Sequence, residues 1–263
     1  MIKKWLAHPT TKRLDIDSPG TTELRKSIIK NKPFLYQIYQ EWYSKIIASL
    51  PFIDGPILEL GSGAGFIKEY LPDAFTSEIF FCQGISAVLD GQNLPFGNCT
   101  LRAIVMTDVF HHIPNPASFL EEATRCIKPG GVISMIEPWV TPLSLWIYQR
   151  FHSEPVNPDV EKWEFPEKRP LSGANQAIPW VIFQRDLDLF HQKFPEWKII
   201  HKEPYMPFRY LLSGGVSLRS LMPGWSFRFW RFFERALSPW VHKTAMFAHI
   251  VLYRGAVKTY QND

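Results

Sequence analysis

The chain has 263 residues, 46% of them hydrophobic, and a formal net charge of only +4, so it can bury a substantial core in one α/β domain with appendages. Its cysteines, Cys82, Cys99 and Cys126, contain no C-x-x-C pair and leave an odd one over, which argues against a disulfide frame or a cysteine-based zinc site and for reduced thiols in a cytoplasmic protein. No run of about 20 apolar residues offers a membrane span, and residues 1–9 lack the apolar stretch of a signal peptide.

Residues 10–20 are polar and read as a loop. Thr21 or Thr22 can cap a helix over residues 23–30. Pro33 interrupts, and Leu35, Ile38, Tyr39, Trp42, Ile46 and Leu50 then recur at helical spacing over residues 34–50. The next segment organises the rest. Residues 56–60, a short apolar run carrying Glu59, end in Gly61, Gly63 and Gly65. This pattern predicts a buried parallel strand, a tight turn and a helix starting near Phe66. Bare backbone at the turn and free N–H groups at the helix start suit a ligand pressed against them. The G-x-G-x-G spacing misses the dinucleotide fingerprint, and no Lys-Ser or Lys-Thr follows it, so an NAD-dependent oxidoreductase and a P-loop nucleotidase are disfavoured.

A second strand is expected over residues 78–82, ending at Gln83-Gly84, with almost no helix before Asp90. Leu94-Pro95-Phe96 reads as an apolar wall, and residues 102–107 as a fourth strand that ends in Asp108-Val109-Phe110-His111-His112. Residues 116–126 form a helix with Pro116 near its first position, stopped by Pro129-Gly130-Gly131. A fifth strand, 132–136, leads into Glu137-Pro138-Trp139. Residues 141–179, rich in Pro, Trp and charge, read as an inserted lid. A helix over 180–194, a strand over 197–202 and a closing strand over 245–253 complete the pattern. Between them, residues 204–240 are aromatic and basic, with Arg209, Arg219, Arg228, Arg231 and Arg235.

Four of these segments, in this order, resemble the class I S-adenosylmethionine-dependent methyltransferases, in their small-molecule branch with a type 11-like domain. They are Glu59-Leu60-Gly61-Ser62-Gly63-Ala64-Gly65, the stretch from Leu89-Asp90-Gly91 to Phe96, the strand and loop ending at His111-His112-Ile113, and the helix with its Pro129-Gly130-Gly131 turn. The resemblance implies a Rossmann-like, doubly wound seven-stranded α/β sheet with its last strand antiparallel, an N-terminal helical lid and C-terminal aromatic and basic insertions. It divides the chain into a helical cap (1–50), a cofactor half (51–140), a substrate half with lid segments (141–254) and a tail (255–263).

The resemblance also implies S-adenosyl-L-methionine as cofactor. Glu59 would approach its ammonium, with Gly61, Ser62, Gly63 and Gly65 forming the turn. Asp90 would accept from the adenine amino group, with Gly91 and Leu94 beside the ring and Thr107 and Asp108 at the end of the fourth strand. The family places Asp or Glu after the second strand to hold the ribose hydroxyls, and Gln83 stands there instead. His111 or His112 is the candidate general base, and Tyr39, Glu137 and Trp139 are candidate acceptor contacts. No third ligand is evident beside the histidine pair, so no metal is expected.

The expected activity is methyl transfer to an O, N or C atom of a small or lipid-linked acceptor. A non-catalytic scaffold on the same fold is the alternative. The aromatic, basic segment suits peripheral contact with an anionic membrane, although an ordinary cap over the sheet, with solvated arginines, accounts for it slightly better. Nucleic acid is not an expected partner, because no base-flipping motif follows the fourth strand.

Overall fold

The computed structural model describes residues 19–152, 154–166 and 173–255. Two N-terminal helices, α1 (Pro19–Asn31) and α2 (Pro33–Ala48), are separated by Lys32 alone, with Pro33 opening the second. The expected loop over 10–20 lies outside the described residues up to residue 18, and Pro19 and Gly20 already belong to α1. α2 buries Phe34, Leu35, Ile38, Trp42, Tyr43 and Ile46, the stripe that helical spacing selects.

The strands are β1 (Ile57–Glu59), β2 (Phe75–Glu78), β3 (Ala87–Val88), β4 (Leu101–Thr107), β5 (Ile127–Pro138), β6 (Trp197–Tyr205) and β7 (Phe247–Arg254). They form one seven-stranded sheet in the order β3-β2-β1-β4-β5-β7-β6. β1 to β5 pair in parallel, and β7 runs antiparallel to both β5 and β6. Alternation along the central strands explains the layering. Leu101, Ile104 and Met106 of β4 face one apolar layer, with Ile133 and Met135 of β5. Ala103 and Val105 face the other, with Val132 and Ile136. Helix α3 (Pro116–Cys126) covers the first face with Phe119, Leu120 and Ala123. α2, together with Ile147 and Tyr148 of α4 (Pro142–Phe151), covers the second.

Three expectations need correction. The glycine turn leads into a single 3-10 turn, Ile67–Glu69, and no α-helix starts there. The second strand ends at Glu78, four residues earlier than residue 82. The expected helix over 180–194 is broken: α5 (Ile178–Trp180) runs into a π-turn, Val181–Arg185, before α6 (Leu187–Lys193). The sequence misplaced β2 because Ile79-Phe80-Phe81-Cys82 is the apolar run. Ile79 and Phe81 are in fact exposed, Phe81 at 72%. The true strand carries polar Thr76 and Ser77, both buried, because they bond inward: Ser77 Oγ donates to the Glu59 carbonyl at 2.9 Å.

Beyond the sheet, α7 (Arg209–Ser213) and α8 (Phe227–Ala236) form a C-terminal cap, and α9 (Val241–Thr244) leads into β7. Buried Arg209 fastens the cap to α2, donating to both oxygens of Glu41 at 2.7 and 2.9 Å and to Glu234 of α8. Lys32 adds a second clasp, donating to the carbonyls of Ser213, Gly215 and Leu218. No helix among the described residues is long and apolar enough to cross a membrane. The expected tail lies outside the described residues from residue 256 onward.

Candidate active site

Strand order reverses between β1 and β4, and at such a switch point the loops after the two strands part and leave a crevice. A cavity of about 220 Å³ occupies it. One wall is the glycine turn after β1. Gly61 has φ +67°, and a Cβ there would stand 2.5 Å from a Val109 methyl. A Cβ on Gly65 would meet the Ser62 carbonyl at 2.6 Å and the Tyr43 hydroxyl at 2.7 Å. That hydroxyl accepts from the Phe66 N–H at 2.9 Å, so α2 holds the turn from above. Only glycine lets the loop pack this closely while leaving its backbone open to the cavity.

Three carboxylates stand around the turn. Glu59, at the end of β1, is buried and lines the cavity. Burial lifts its pKa to about 7, against a hydrogen bond from Ser62, with Glu78 adding to the rise and Lys26 and Lys68 opposing it. Glu78, at the end of β2, lines the cavity too. Its Oε1 accepts from the Ile79 N–H at 2.9 Å, and the Gly63 N–H also donates to the carboxylate. Burial pushes its pKa up. Asp90 follows β3, its Oδ1 accepting from the Gln92 N–H at 2.9 Å. Gly61, Ser62, Gly63, Gly65, Gly91, Thr107 and Asp108 line the same space. Gln83 does not. It is exposed on the loop beyond Glu78, and Glu78, five residues earlier, is the acid that lines the cavity there. Leu94 is buried in the core, its N–H held by Glu122 at 2.8 Å, and is not part of the cavity wall.

The loop after β4 forms the far wall. Asp108 sits at φ +62° and donates its N–H to the Ile136 carbonyl at 2.8 Å. Such left-handed backbone is uncommon outside glycine and concentrates at functional sites. Burial raises the Asp108 carboxyl to about 7, with His111 opposing and Glu154 and Glu137 adding. Glu137 of β5 was expected at the substrate, but it is fully buried and holds this loop from beneath. Its Oε1 accepts the N–H groups of Val109 and Phe110 at 2.9 and 2.7 Å, and its Oε2 lies 2.8 Å from His111 Nδ1. Trp139 is likewise packed in the core and does not reach the cavity. Tyr39 does reach it.

The two histidines differ. His111 is fully buried, lies between Glu137 and Glu154, and is absent from the cavity wall, so it cannot touch an acceptor directly. Burial disfavours its charge, but the two glutamates outweigh that and hold its pKa well above the ordinary value. His112 lines the cavity. Burial, reinforced by the neighbouring His111 charge, drops its pKa to about 3.

The lid supplies groups that sequence reasoning missed. Arg25 of α1, His152 and Glu154 after α4, and Tyr210, Val216 and Ser217 of the C-terminal cap all line the cavity. No periodicity marks them, because they converge only when α1, the stretch following α4 and the cap come together at the cavity. Glu154 also gives the histidine pair the third ligating group that the sequence did not reveal.

Residues 58–135, which contain the glycine turn and the loop after β4, match the family model described as a methyltransferase domain. That segment is a methyltransferase domain, and S-adenosylmethionine is its cofactor. Among solved structures it is similar to an S-adenosylmethionine-dependent methyltransferase from Thermotoga maritima (15% identity, TM-score 0.52, covering 89% of this chain and 99% of that one). It is also similar to a chain of the Haloferax volcanii complex that contains the Trm112 methyltransferase activator (14% identity, TM-score 0.50, 91% and 96% covered). At such identities the likeness speaks for the fold alone. No curated protein matches the chain.

Proposed function

We propose that the enzyme methylates an O, N or C atom of an acceptor that is small or lipid-linked, and that Glu59, Glu78 and Asp90 hold the cofactor. The observation that carries this reading is the placement of three carboxylates around one glycine turn, each suited to a different donor. Buried Glu59 fits an ammonium. Glu78 fits a pair of ribose hydroxyls, and Asp90, farther along the wall, fits an exocyclic amine. The close-packed backbone at Gly61 and Gly65 leaves room for a ligand where side chains would fill it. When bound, S-adenosylmethionine supplies a methyl group on a positively charged sulfur, open to in-line displacement. The chain's part is to align an acceptor and exclude water. Tyr39, Tyr210, His112 and the cap residues Val216 and Ser217 form the walls that would do so.

The test is calorimetric titration of S-adenosylhomocysteine into wild type, Glu78→Ala and Gln83→Ala. Glu78→Ala is expected to weaken binding at least tenfold, about 1.4 kcal/mol, and Gln83→Ala to leave it unchanged. The reverse order would restore Gln83 as the ribose partner. No binding to folded wild type would favour the scaffold alternative.

The lipid-linked branch rests on α8. On α8, Phe229 (62% exposed), Phe232 (73%) and Phe233, spaced three and four residues apart, share one outward stripe, and Trp225 (85%) and Trp240 are exposed in the turns on either side of the helix. Arg228 and Arg235 flank the stripe, also exposed. An aromatic stripe with basic neighbours is the composition of an interfacial helix. Through Glu234, which accepts from the Phe208 and Arg209 N–H groups at 2.9 and 2.8 Å, the same helix positions the segment carrying Tyr210 into the cavity. Sedimentation with phosphatidylserine vesicles should capture the wild type at low salt and lose most of it in a Phe229→Ser/Phe232→Ser variant. Equal behaviour of the two would remove the lipid surface from the proposal.

A further inference from the structure

We infer that His111, His112 and Glu154 form a binding site for a divalent first-row metal ion, zinc matching best, on the acceptor side of the cleft. The observation behind this is a convergence of lone pairs. His111 Nδ1 lies 2.8 Å from Glu137 Oε2. A carboxylate can only accept, so the ring proton is on Nδ1, the pairing that orients imidazoles toward metals. The Nε2 atom then faces the other way. It is buried with no hydrogen-bond partner and stands 3.4 Å from Glu154 Oε2. His112 repeats the arrangement. Its Nδ1 is 3.4 Å from the Gly173 carbonyl, which also only accepts, and its Nε2 is 4.0 Å from Glu154 Oε1.

Two imidazole lone pairs and a carboxylate, all within 4.8 Å of one another, repel unless a cation joins them. Either a second proton on His111 does so, or a metal ion. Two histidines and one glutamate form a donor set of catalytic zinc sites, which keep a further position open. Imidazole nitrogens select zinc and its neighbours over magnesium or calcium. Donors at ~2.1 Å in a tetrahedral site stand ~3.4 Å apart, so rotations of less than an ångström at each side chain would close the set. Glu154 is held in place by Gln176, whose Nε2 donates to its Oε2 at 3.1 Å. His112 and Glu154 line the cavity with His111 behind them, so the open position faces the cleft.

An ion there would hold an acceptor hydroxyl and ease loss of its proton to solvent. The oxygen–methyl bond then forms as the sulfur–methyl bond breaks, its electron pair remaining on sulfur. That role rests on the methyl-transfer reading; the binding of the ion does not.

The test is titration of Zn²⁺ into the chelator-stripped full chain, without cofactor or acceptor. The expected result is one ion per chain, weakened at least tenfold by Glu154→Gln and by His112→Gln. A second cluster, His201, Glu203 and His249, lies at the outer strands, and His201→Ala there should leave binding unchanged. S-adenosylhomocysteine titration of each variant checks that the cleft is still folded. No zinc binding by folded wild type would mean that a proton joins the three groups, and would overturn the site. Binding that survives both Glu154→Gln and His112→Gln, or that vanishes with His201→Ala, would overturn it too. Zinc binding without S-adenosylhomocysteine binding would count against the cofactor reading and leave the metal site standing.

Discussion

Replacing Glu59 by Gln should stabilise the free protein at alkaline pH while removing its hold on the cofactor. The Glu59 carboxyl is buried, and burial lifts its pKa from 4.5 to about 7, Glu78 adding to the rise. At 1.36 kcal/mol per tenfold change in acidity, that difference is worth ~3 kcal/mol at most. Because the folded-state value is the higher one, this contribution is complete below about pH 4.5 and is lost as pH rises through 7. Glutamine keeps the neutral form at every pH. The variant should therefore match wild type at pH 5 and exceed it by up to ~3 kcal/mol at pH 8.5, read from urea unfolding without ligand. Comparing the two pH values cancels the contribution of Asp108, which both proteins share. Equal stability at pH 8.5, or a less stable variant, would refute the reasoning, since it would mean that the ionised carboxylate is already satisfied in the free protein. S-adenosylhomocysteine binding should be lost in the variant. In wild type it should weaken as pH falls below 7, approaching tenfold per pH unit, because the ammonium needs the ionised carboxylate.

Gly61→Ala places a methyl 2.5 Å from Val109 at a φ of +67°. Overpacking and left-handed strain together should cost ~2 kcal/mol and weaken S-adenosylhomocysteine binding at least tenfold, both measurable by calorimetry. Arg209→Met leaves Glu41 and Glu234 without their buried cation. Urea unfolding should show a loss of ~3 kcal/mol or more, with the cap the first region to exchange its amide protons.

The cofactor half was legible in the sequence because its parts are local. Residues 57–65 and 101–108 carry their instructions in contiguous runs: buried apolar alternation, then glycines or a short acid where the chain must turn. Glu59, Gly61 and Asp108 could therefore be placed at the ends of their strands before any contact was known, and the family resemblance set Asp90 beside them. β2 was misread because its stability comes from across the sheet. Thr76 and Ser77 are stable inside only because partners in Ser62, Ser86 and Glu59 satisfy them, and no window of neighbouring residues reveals that. The same holds for Glu137, which reads as an acceptor contact after a strand and is instead the buried anchor of the His111 loop. The acceptor wall was illegible for a stronger reason. Arg25, Glu154 and Tyr210 come from three distant segments, and His111 meets Glu154 across 43 residues of chain. Sequence periodicity encodes which face of an element is apolar, and so it marked the central strands and the glycine turn after β1. Which charged groups then meet over that turn depends on how the lid and cap pack, and only the tertiary structure decided it.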